Sequence, residues 1–446
     1  MKGGELMAGG ELVDAAVPDV PQSVAGAPRS ARIPWIFRGG FGRLFLGQAV
    51  SAVGSQVTFL ALPITAVFLL RATPGAMGLL GALDNLPYLL FGLGVGVLVD
   101  RRRRRPLMVW ADLLRAVAVC SVPLGWALGI LSFGQLCVVV FVVGSCNIVF
   151  DVAAQAQMPG LLPEDRVVDG NAALQTTTSL STVVGPGISG QLIALFGAPV
   201  AIVVDAVSYV VSAVFIHSIR EPEPVRHRSE GSARRQIAEG LRYVREDRRL
   251  VALAGAGSTI SLAVNAAFAV FVYYLAVRAG WTAATIGLLY TAVGVAGAAG
   301  AILMPAVSRR IGLRRSLAGM PVLAGLGLAA IPVAVEGSLA PALTNLLLVT
   351  GSLAFGLGLV AFSVMSAGCR QTLAPTEARG RVLGTLRFFE WGSMPVGSLA
   401  GGALGQLFGA AVALEFAAIA FASAALWILT APRFESATVT GEPSGA

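Results

Sequence analysis

Long apolar runs alternate with short polar segments along most of the chain. A helix needs about 20 apolar residues to cross the hydrocarbon layer of a membrane, and twelve runs have a suitable length. They lie near 41–70, 75–99, 107–131, 133–158, 171–196, 199–219, 250–277, 282–307, 316–335, 341–369, 380–407 and 410–430. The pattern predicts an all-α membrane protein with twelve transmembrane helices, named spans 1 to 12 in chain order.

The apolar pattern repeats within the chain. Gly78-Leu79-Leu80 recurs as Gly287-Leu288-Leu289, and Pro186 recurs as Pro395 at the same spacing. A parallel internal repeat is typical of secondary transporters that arose by doubling. The repeat predicts two pseudo-symmetric six-helix bundles.

The polar segments outside the runs define the remaining organisation. The start of the chain is rich in Gly, Ala and Pro without the apolar segment of a signal peptide, so a disordered tail is expected there. The central segment has an amphipathic helical pattern that can contact the anionic inner leaflet. The expected parts are an N-terminal tail, a first bundle, a linker, a second bundle and a C-terminal tail, at 1–40, 41–220, 221–249, 250–430 and 431–446.

Composition and charge agree with a membrane location. The chain is 56% apolar, with mean hydropathy +0.78 and net charge +8. Arginine supplies nearly all of the basic residues, and they fall in every second loop, while the alternate loops hold Arg71 and Arg278. Basic loops mark the cytoplasmic side, so both termini are expected in the cytoplasm. Because the charge is divided among loops, it does not indicate nucleic-acid binding.

The loop between spans 2 and 3 carries the most specific motif, a glycine followed by an acid and a basic cluster. The residues are Gly96, Asp100, Arg101, Arg104 and Arg105. With this motif the chain resembles the major facilitator superfamily, and within it the bacterial drug-efflux branch that includes macrolide exporters and the enterobactin exporter. In that family the cluster latches the outward-open state, which implies this role for Asp100, Arg101 and Arg105. The second copy has Arg309 in place of the acid, so its latch is expected to be weak or absent.

A second motif lies on span 5, where Gly185, Pro186 and Gly190 fall in one apolar run. Proline removes an amide donor and glycine relieves crowding, so the segment is predicted to bend. It resembles the signature associated with antiporters in the same family. The resemblance favours export over import.

Polar residues at helical spacing within the spans indicate a transport path, because in lipid they face a cavity or a partner. In the resembled family spans 1, 4, 7 and 10 line the central cavity, and these spans carry polar stripes. Hydrogen bonding between helices is the alternative interpretation for any one of them. The cavity and substrate candidates are Gln48, Ser55, Asn147, Gln155, Asn265, Ser366 and Arg370.

Acids inside the spans are candidates for proton coupling, since an ionised carboxylate is costly in hydrocarbon and a bound proton removes its charge. Asp84 and Asp151 rank first because they match acidic positions in close relatives. Asp205 is equally suited to a structural hydrogen-bonding role, and Glu390 can pair with Arg387 one turn away. At the inner start of span 3, Asp112 and Arg115 are three residues apart and are expected to form a structural pair.

Aromatic residues in the spans suit either helix packing or a ring-lined pocket for bulky ligands. Phe59, Phe268 and Phe271 are among them.

The sequence does not indicate an enzyme, because it contains two histidines and no metal-binding or cofactor-binding motif. The sequence therefore predicts a proton-driven exporter of hydrophobic small molecules in the bacterial plasma membrane, with no cofactor, working as a monomer by alternating access. The alternative is an importer or exporter of a specific metabolite, such as a siderophore, with the same fold.

Overall fold

The computed structural model describes residues 35–92, 94–221, 233–376, 378–432 and 434, and most of them are helical. The predicted disordered tails fall almost entirely outside the described residues. So does the first part of the linker, together with the side chains of residues 233–237. The predictions for these segments remain predictions.

The first half of the chain forms six membrane-length units from eight helices. Spans 2 and 6 are each built from two consecutive helices. The helices are α1 (Gly39–Phe68), α2 (Pro74–Phe91), α3 (Val95–Arg101), α4 (Arg104–Ala127), α5 (Phe133–Gln157), α6 (Val167–Phe196), α7 (Ala198–Ala201) and α8 (Val203–His217).

The second half begins with a linker helix and continues with six long helices. The first of the long helices ends in a π-helical turn, Tyr274–Arg278. The helices are α9 (Ala233–Glu246), α10 (Arg248–Tyr273), α11 (Ala283–Ile311), α12 (Leu313–Glu336), α13 (Pro341–Leu373), α14 (Arg379–Phe408) and α15 (Ala410–Thr430).

Local sequence explains several helix ends. Thr73, Ser132 and Thr282 each precede a helix, and each hydroxyl oxygen accepts a hydrogen bond of 3.3 Å from the backbone N–H three residues later. Such N-caps satisfy one of the free amides of a first helical turn. Gly312 and Gly409 adopt φ of 92° and 99° between consecutive helices, a conformation that glycine reaches without strain. These residues set the tight connections α11–α12 and α14–α15.

Ten described helices are long and apolar enough to span a membrane by length and composition. Spans 2 and 11 fall short of this measure. Helix α2 carries Asp84 and Asn85, and α14 is rich in Gly and Ser and also carries Arg387 and Glu390. These two helices pack against each other between the halves. Helices in this position can keep their polar residues away from lipid, as polar groups at membrane depth require.

The two halves touch mainly through two helix pairs, α2 with α14 and α6 with α11. We call the end of the bundle that carries Arg101–Arg105 the inner end and the opposite end the outer end. At the outer end Gly78 lies against Gly402, so a β-carbon at residue 78 would lie 2.6 Å from the Cα of Gly402. In the second pair, a β-carbon at Gly190 would lie 3.1 Å from the Cα of Gly287. Small residues let the helices approach this closely, and the outer end is closed.

The linker helix α9 docks on the second half. Glu239 forms an ion pair with Arg381 of α14. Val244 is buried in an apolar cluster with Leu250, Val382 and other residues. Further along α9, Arg242 is exposed and pairs with Glu246 at 2.7 Å. The linker helix is therefore attached to the inner end of α14, and its exposed side carries charged residues.

Candidate functional site

An apolar pocket of about 360 Å³ lies between the halves, inward of the outer-end glycine contacts. Helices α1, α2 and α5 line it from one half, and α10 and α14 from the other. Asp84 is the one charged residue among the described lining residues, and its side chain is exposed to the pocket. An apolar wall with one carboxylate suits a hydrophobic ligand and can orient a ligand that carries a donor or a positive charge.

An aromatic cluster forms part of the pocket wall. Phe59 of α1 packs edge-on against Phe268 of α10, with ring centroids 6.3 Å apart, and against Tyr290 of α11 at 5.9 Å. Phe271 also packs edge-on against Tyr290, at 5.8 Å. The sequence pointed to the three phenylalanines but not to Tyr290. The cluster joins the two halves beside the closed outer end.

Two asparagines connect the halves across the same pocket. The Asn85 side-chain amide donates to the Asn265 Oδ1 at 3.2 Å and also to the Gly81 carbonyl at 2.8 Å. The Asn265 amide donates in turn to the Ser261 carbonyl at 2.9 Å. The predicted cavity residue Asn265 thus lines the pocket and belongs to a contact between halves. Asn85 was not singled out from the sequence, although it directly follows Asp84.

A second, polar cavity of about 710 Å³ lies toward the inner end. The predicted residues Gln48, Asp151 and Gln155 line it, and Asp151 and Gln155 are exposed to it. The opposite half contributes Gln371 and Arg387. Both halves therefore line this cavity, as they line the apolar pocket.

Three other predicted cavity residues take part in packing. Asn147 accepts a hydrogen bond from Arg115 at 2.8 Å. Ser55 lies 2.9 Å from the Tyr209 hydroxyl and 3.5 Å from Asp205. Ser366 is buried on α13. Asn147 and Ser55 thus take part in hydrogen bonds between helices, the alternative interpretation, whereas the buried Ser366 hydroxyl has no hydrogen-bond partner among the described residues.

A charged network fills the core of the first half. Arg115 and Asp112 are buried and form an ion pair, as expected for a structural pair. The Arg115 guanidinium also lies 4.5 Å from the ring centroids of both Phe150 and Tyr209, a cation–π arrangement. The sequence placed this pair near the inner start of span 3. In the structure, however, Arg115 is three helical turns beyond the first residue of α4.

Asp205 belongs to the same buried region. Its Oδ1 accepts a hydrogen bond from Ser208 at 3.1 Å and a longer one from Ser55. The residue is 0% exposed. Asp205 therefore faces neither cavity, whereas Asp84 and Asp151 each face one.

Glu390 pairs with a different arginine from the one expected. It forms an ion pair with Arg370 of α13, and both side chains are largely buried. Arg387 points into the polar cavity instead. The pairing depends on Gly257 of α10, where a β-carbon would lie 2.7 Å from the Arg370 Nη2. The predicted cavity residue Arg370 is thus the partner of a predicted coupling residue.

The predicted gating motif lies at the inner end. Asp100 and Arg101 are exposed, and a β-carbon on Gly96 would contact nothing within 4 Å. Arg104 donates to the Ala156 carbonyl at 2.8 Å, and Arg105 donates to the Ile219 carbonyl. These carbonyls lie at the ends of α5 and α8, where free acceptors and the helix dipole favour a cation. Arg104 and Arg105 therefore tie three helices of the first half together.

The glycines and proline of span 5 lie at helix contacts. The helix α6 runs without interruption through Pro186. Gly185 packs against the Gln56 side chain of α1, and Gly190 and the Pro186 carbonyl pack against Gly287 of α11. The motif that was predicted to bend α6 thus supplies part of the closed contact between halves.

Known proteins with similar sequences are transporters. The sequence matches the profile of the Major Facilitator Superfamily over residues 44–390 and again over 256–445. It is 28% identical over 242 residues to macrolide efflux protein A of Streptococcus pyogenes, covering 51% of this chain and 57% of that protein. It is also 28% identical over 383 residues to multidrug efflux pump Tap of Mycobacterium tuberculosis, covering 81% and 86%. The chain thus matches little more than half the length of the macrolide relative.

The fold also matches solved transporter structures. A bacterial homologue of the iron transporter ferroportin in its inward-facing state superposes with a TM-score of 0.71 at 18% identity, over 87% of this chain and 97% of that one. This likeness confirms the predicted fold of twelve spans in two six-helix halves. The sequence relatives confirm the resemblance to drug-efflux proteins.

Proposed function

The chain belongs to the Major Facilitator Superfamily, and from this premise we propose that it exports hydrophobic small molecules by proton antiport and alternating access. Membership of a transporter superfamily confirms that the chain is a multi-pass membrane transporter and not an enzyme. The observation that carries the proposal is the apolar pocket with one carboxylate, Asp84, closed at the outer end. A pocket of this kind can take a hydrophobic substrate from the inner side.

The arrangement of the two cavities supports a direction of loading. The polar cavity, which holds Asp151 and Arg387, lies toward the inner end, and the apolar pocket lies deeper. A substrate that enters from the inner end loses its water as it passes from polar to apolar walls. Apolar burial contributes about 25 cal/mol per Å², so the pocket is the more favourable position for a hydrophobic molecule.

Alternating access requires the outer contacts to open while the inner end closes. We propose that the first half, residues 41–220, and the second half, residues 250–430, rotate as units about the substrate. The contacts of Gly78 with Gly402 and of Gly190 with Gly287 separate in that step. At the inner end Asp100 is exposed in the present state and becomes available to latch the halves in the outward-open state.

Proton coupling is assigned to the acids within the spans. Asp84 and Asp151 face the cavities and can exchange protons with water there. Asp205 is buried behind α1. The ion pair of Glu390 with Arg370 compensates the charge of Glu390 and makes it a weaker carrier than the other three. Without an inward flow of protons the transporter would not accumulate substrate against a gradient.

The relatives support the substrate class. One is named for macrolide efflux and another for multidrug efflux, and both names are compatible with bulky, apolar substrates. We further propose that the protein works as a monomer in the plasma membrane of a bacterium, with both termini and the arginine-rich loops in the cytoplasm. The exposed arginines of α9, Arg242 and Arg245, then lie near the anionic inner leaflet.

Transport by everted membrane vesicles tests the proposal. Vesicles that contain the protein are expected to accumulate a fluorescent hydrophobic dye when their interior is acidified, and a protonophore should abolish the accumulation. Vesicles without the protein are the control. Gradient-driven uptake of the dye by right-side-out vesicles would show import instead. Accumulation that the protonophore does not reduce would exclude proton coupling.

A further inference from the structure

Asp205 differs from Asp84 and Asp151 because it lies behind α1 and lines neither cavity. Resting on the function proposed above, we propose that Asp205 is a proton-binding site separate from the substrate pocket and connected to it through the hydroxyl face of α1. Asp84 then serves as the substrate carboxylate, and Asp205 holds the coupled proton. One helix, α1, separates the two sites and contacts both.

The environment of Asp205 compensates a negative charge poorly. The carboxylate receives hydrogen bonds from the hydroxyls of Ser208 and Ser55, at 3.1 and 3.5 Å. Its second oxygen, Oδ2, is buried without a hydrogen-bond partner among the described residues. A buried acceptor without a partner is costly. A proton on Oδ2 removes the charge and leaves the two hydroxyl contacts in place.

The charged groups around Asp205 come from α4 and from its own helix. The helices packed against α8 are chiefly α1 and α4. The titratable groups that face this region are Asp112 and Arg115 of α4 and Tyr209 of α8. Arg115 is engaged in the ion pair with Asp112. Asp205 and, from α5, Asp151 also interact electrostatically with this guanidinium. Acids therefore outnumber the one arginine, and a proton on Asp205 reduces the net negative charge of the buried group.

Tyr209 and Ser55 connect this charged group to α1. The Arg115 guanidinium lies over the Tyr209 ring, and the Tyr209 hydroxyl lies 2.9 Å from the Ser55 hydroxyl. Ser55 is half-buried, whereas Asp205 and Tyr209 are buried. The Ser55 hydroxyl is therefore the more accessible member of the chain of hydroxyls and the point where a proton can enter or leave.

The same part of α1 reaches the substrate pocket. Thr58 and Phe59, less than two turns beyond Gly54, line the apolar pocket, and the Thr58 hydroxyl also lies against the Asp205 carboxylate. Gly54 itself packs so closely against α8 that a β-carbon there would lie 2.9 Å from the Asp205 Oδ1. A substrate that displaces α1 changes the contact of α1 with Asp205. By reciprocity, protonation of Asp205 then changes substrate affinity.

Infrared difference spectroscopy on the purified full-length protein tests the proton site without any substrate. The change between acidic and alkaline buffer should contain the C=O band of a protonated carboxyl group. One component of that band is expected to disappear in Asp205→Asn and to remain in the matched variant Asp84→Asn. A band in Asp205→Asn that is identical to that of the unaltered protein overturns the proposal.

A second variant keeps this test decisive if Asp205→Asn does not fold. Ser55→Ala leaves the carboxyl group in place and removes one of its hydrogen bonds, so the frequency of the band should shift. The control Ser363→Ala, whose hydroxyl bonds only the Leu359 carbonyl among the described residues, should leave the band unchanged. An unshifted band in Ser55→Ala also overturns the proposal.

Reconstituted vesicles separate this inference from the proposed export. Asp205→Asn is expected to retain exchange of a fluorescent hydrophobic cation across the membrane and to lose its accumulation under a pH gradient. Asp84→Asn should lose both activities. Full accumulation by Asp205→Asn refutes the coupling role. If the wild-type protein moves no dye in either assay, the exporter proposal fails, while the infrared result still decides whether Asp205 binds the proton.

Discussion

At the scale of single residues, each buried charge in the bundle has a specific surrounding that limits what it can do. Arg115 is held by Asp112 and two aromatic rings, and Arg370 is held by Glu390. Asp84 instead faces an open pocket. A charge with a fixed partner stabilises one arrangement of helices, whereas a charge that faces a cavity is available to a ligand.

The Arg370–Glu390 pair gives a prediction about stability. Glu390→Gln leaves Arg370 charged and largely buried without its partner, so the free energy of unfolding should fall by about 3–5 kcal/mol. Replacing both residues, Arg370→Gln with Glu390→Gln, should recover most of the loss. Thermal unfolding in detergent measures both effects, and Arg387→Gln is the matched control because Arg387 faces the polar cavity. Equal unfolding temperatures for Glu390→Gln and Arg387→Gln would contradict the assignment.

The sequence predicted some residues of the site and misassigned the partners of others for a physical reason. The cavity candidates Gln48 and Asn265 line cavities, and so does the coupling candidate Asp84. Polar residues within a span indicate which of its faces is sheltered from lipid. The partners of charged residues cannot be predicted from helical spacing in the same way. Glu390 was expected to bind Arg387 on its own helix, but it binds Arg370 on another. Contacts between distant helices depend on packing, which leaves no periodic pattern in the chain.

At the scale of helices, the outer end is closed by two glycine contacts that the internal repeat relates to each other. Gly78 and Gly287 occupy equivalent positions in the two copies, and each meets a glycine of the opposite half. The repeat was visible in the sequence, and so was the division into twelve spans. The break between α2 and α3 was not predicted. The docking of α9 on α14 was not predicted either, since it depends on contacts between distant segments such as the Glu239–Arg381 ion pair.

The glycine contact between α2 and α14 can be tested by adding a methyl group. Gly78→Ala should force the helices apart at the outer end, because the new β-carbon would meet the Gly402 Cα and the Ser398 carbonyl. The outer end should open more often, and a cysteine at Ser398 in a cysteine-free background should react faster with an external thiol reagent. Gly319→Ala is the control, since a β-carbon there contacts nothing within 4 Å. No change in labelling between the two variants would show that this contact does not hold the outer end closed.

At the scale of the whole molecule, the function depends on which end of the bundle faces the cytoplasm. The arginine-rich segments lie at the inner end, and positive loops mark the cytoplasmic side. The polar cavity, which holds Asp151, opens toward that end, so the orientation decides whether substrate is loaded from inside the cell. The orientation of the protein in the membrane therefore determines the direction of transport.

Labelling of single cysteines in intact cells tests the orientation. Cysteines at Ile130 and Ser338, in exposed outer-end loops, are expected to react with a membrane-impermeant reagent added outside. Cysteines at Ala238 and Arg245 of the linker helix, also exposed, should react only after the membrane is made permeable. The four native cysteines are replaced beforehand. Reaction of the linker cysteines in intact cells would reverse the assigned orientation and with it the direction of export.

The gating motif is proposed to act in the outward-open state, which differs from the state described here. Arg104 and Arg105 cap helix ends within the first half, so their loss should weaken the fold itself. Asp100 is exposed in this state, so Asp100→Asn should leave membrane insertion and the unfolding temperature unchanged. If Asp100 latches the outward-open state, the same variant should nevertheless lose most of its efflux, whereas Arg102→Ala should have a milder effect. Dye efflux measured at equal membrane levels compares the two variants, and normal efflux by Asp100→Asn would exclude the latch.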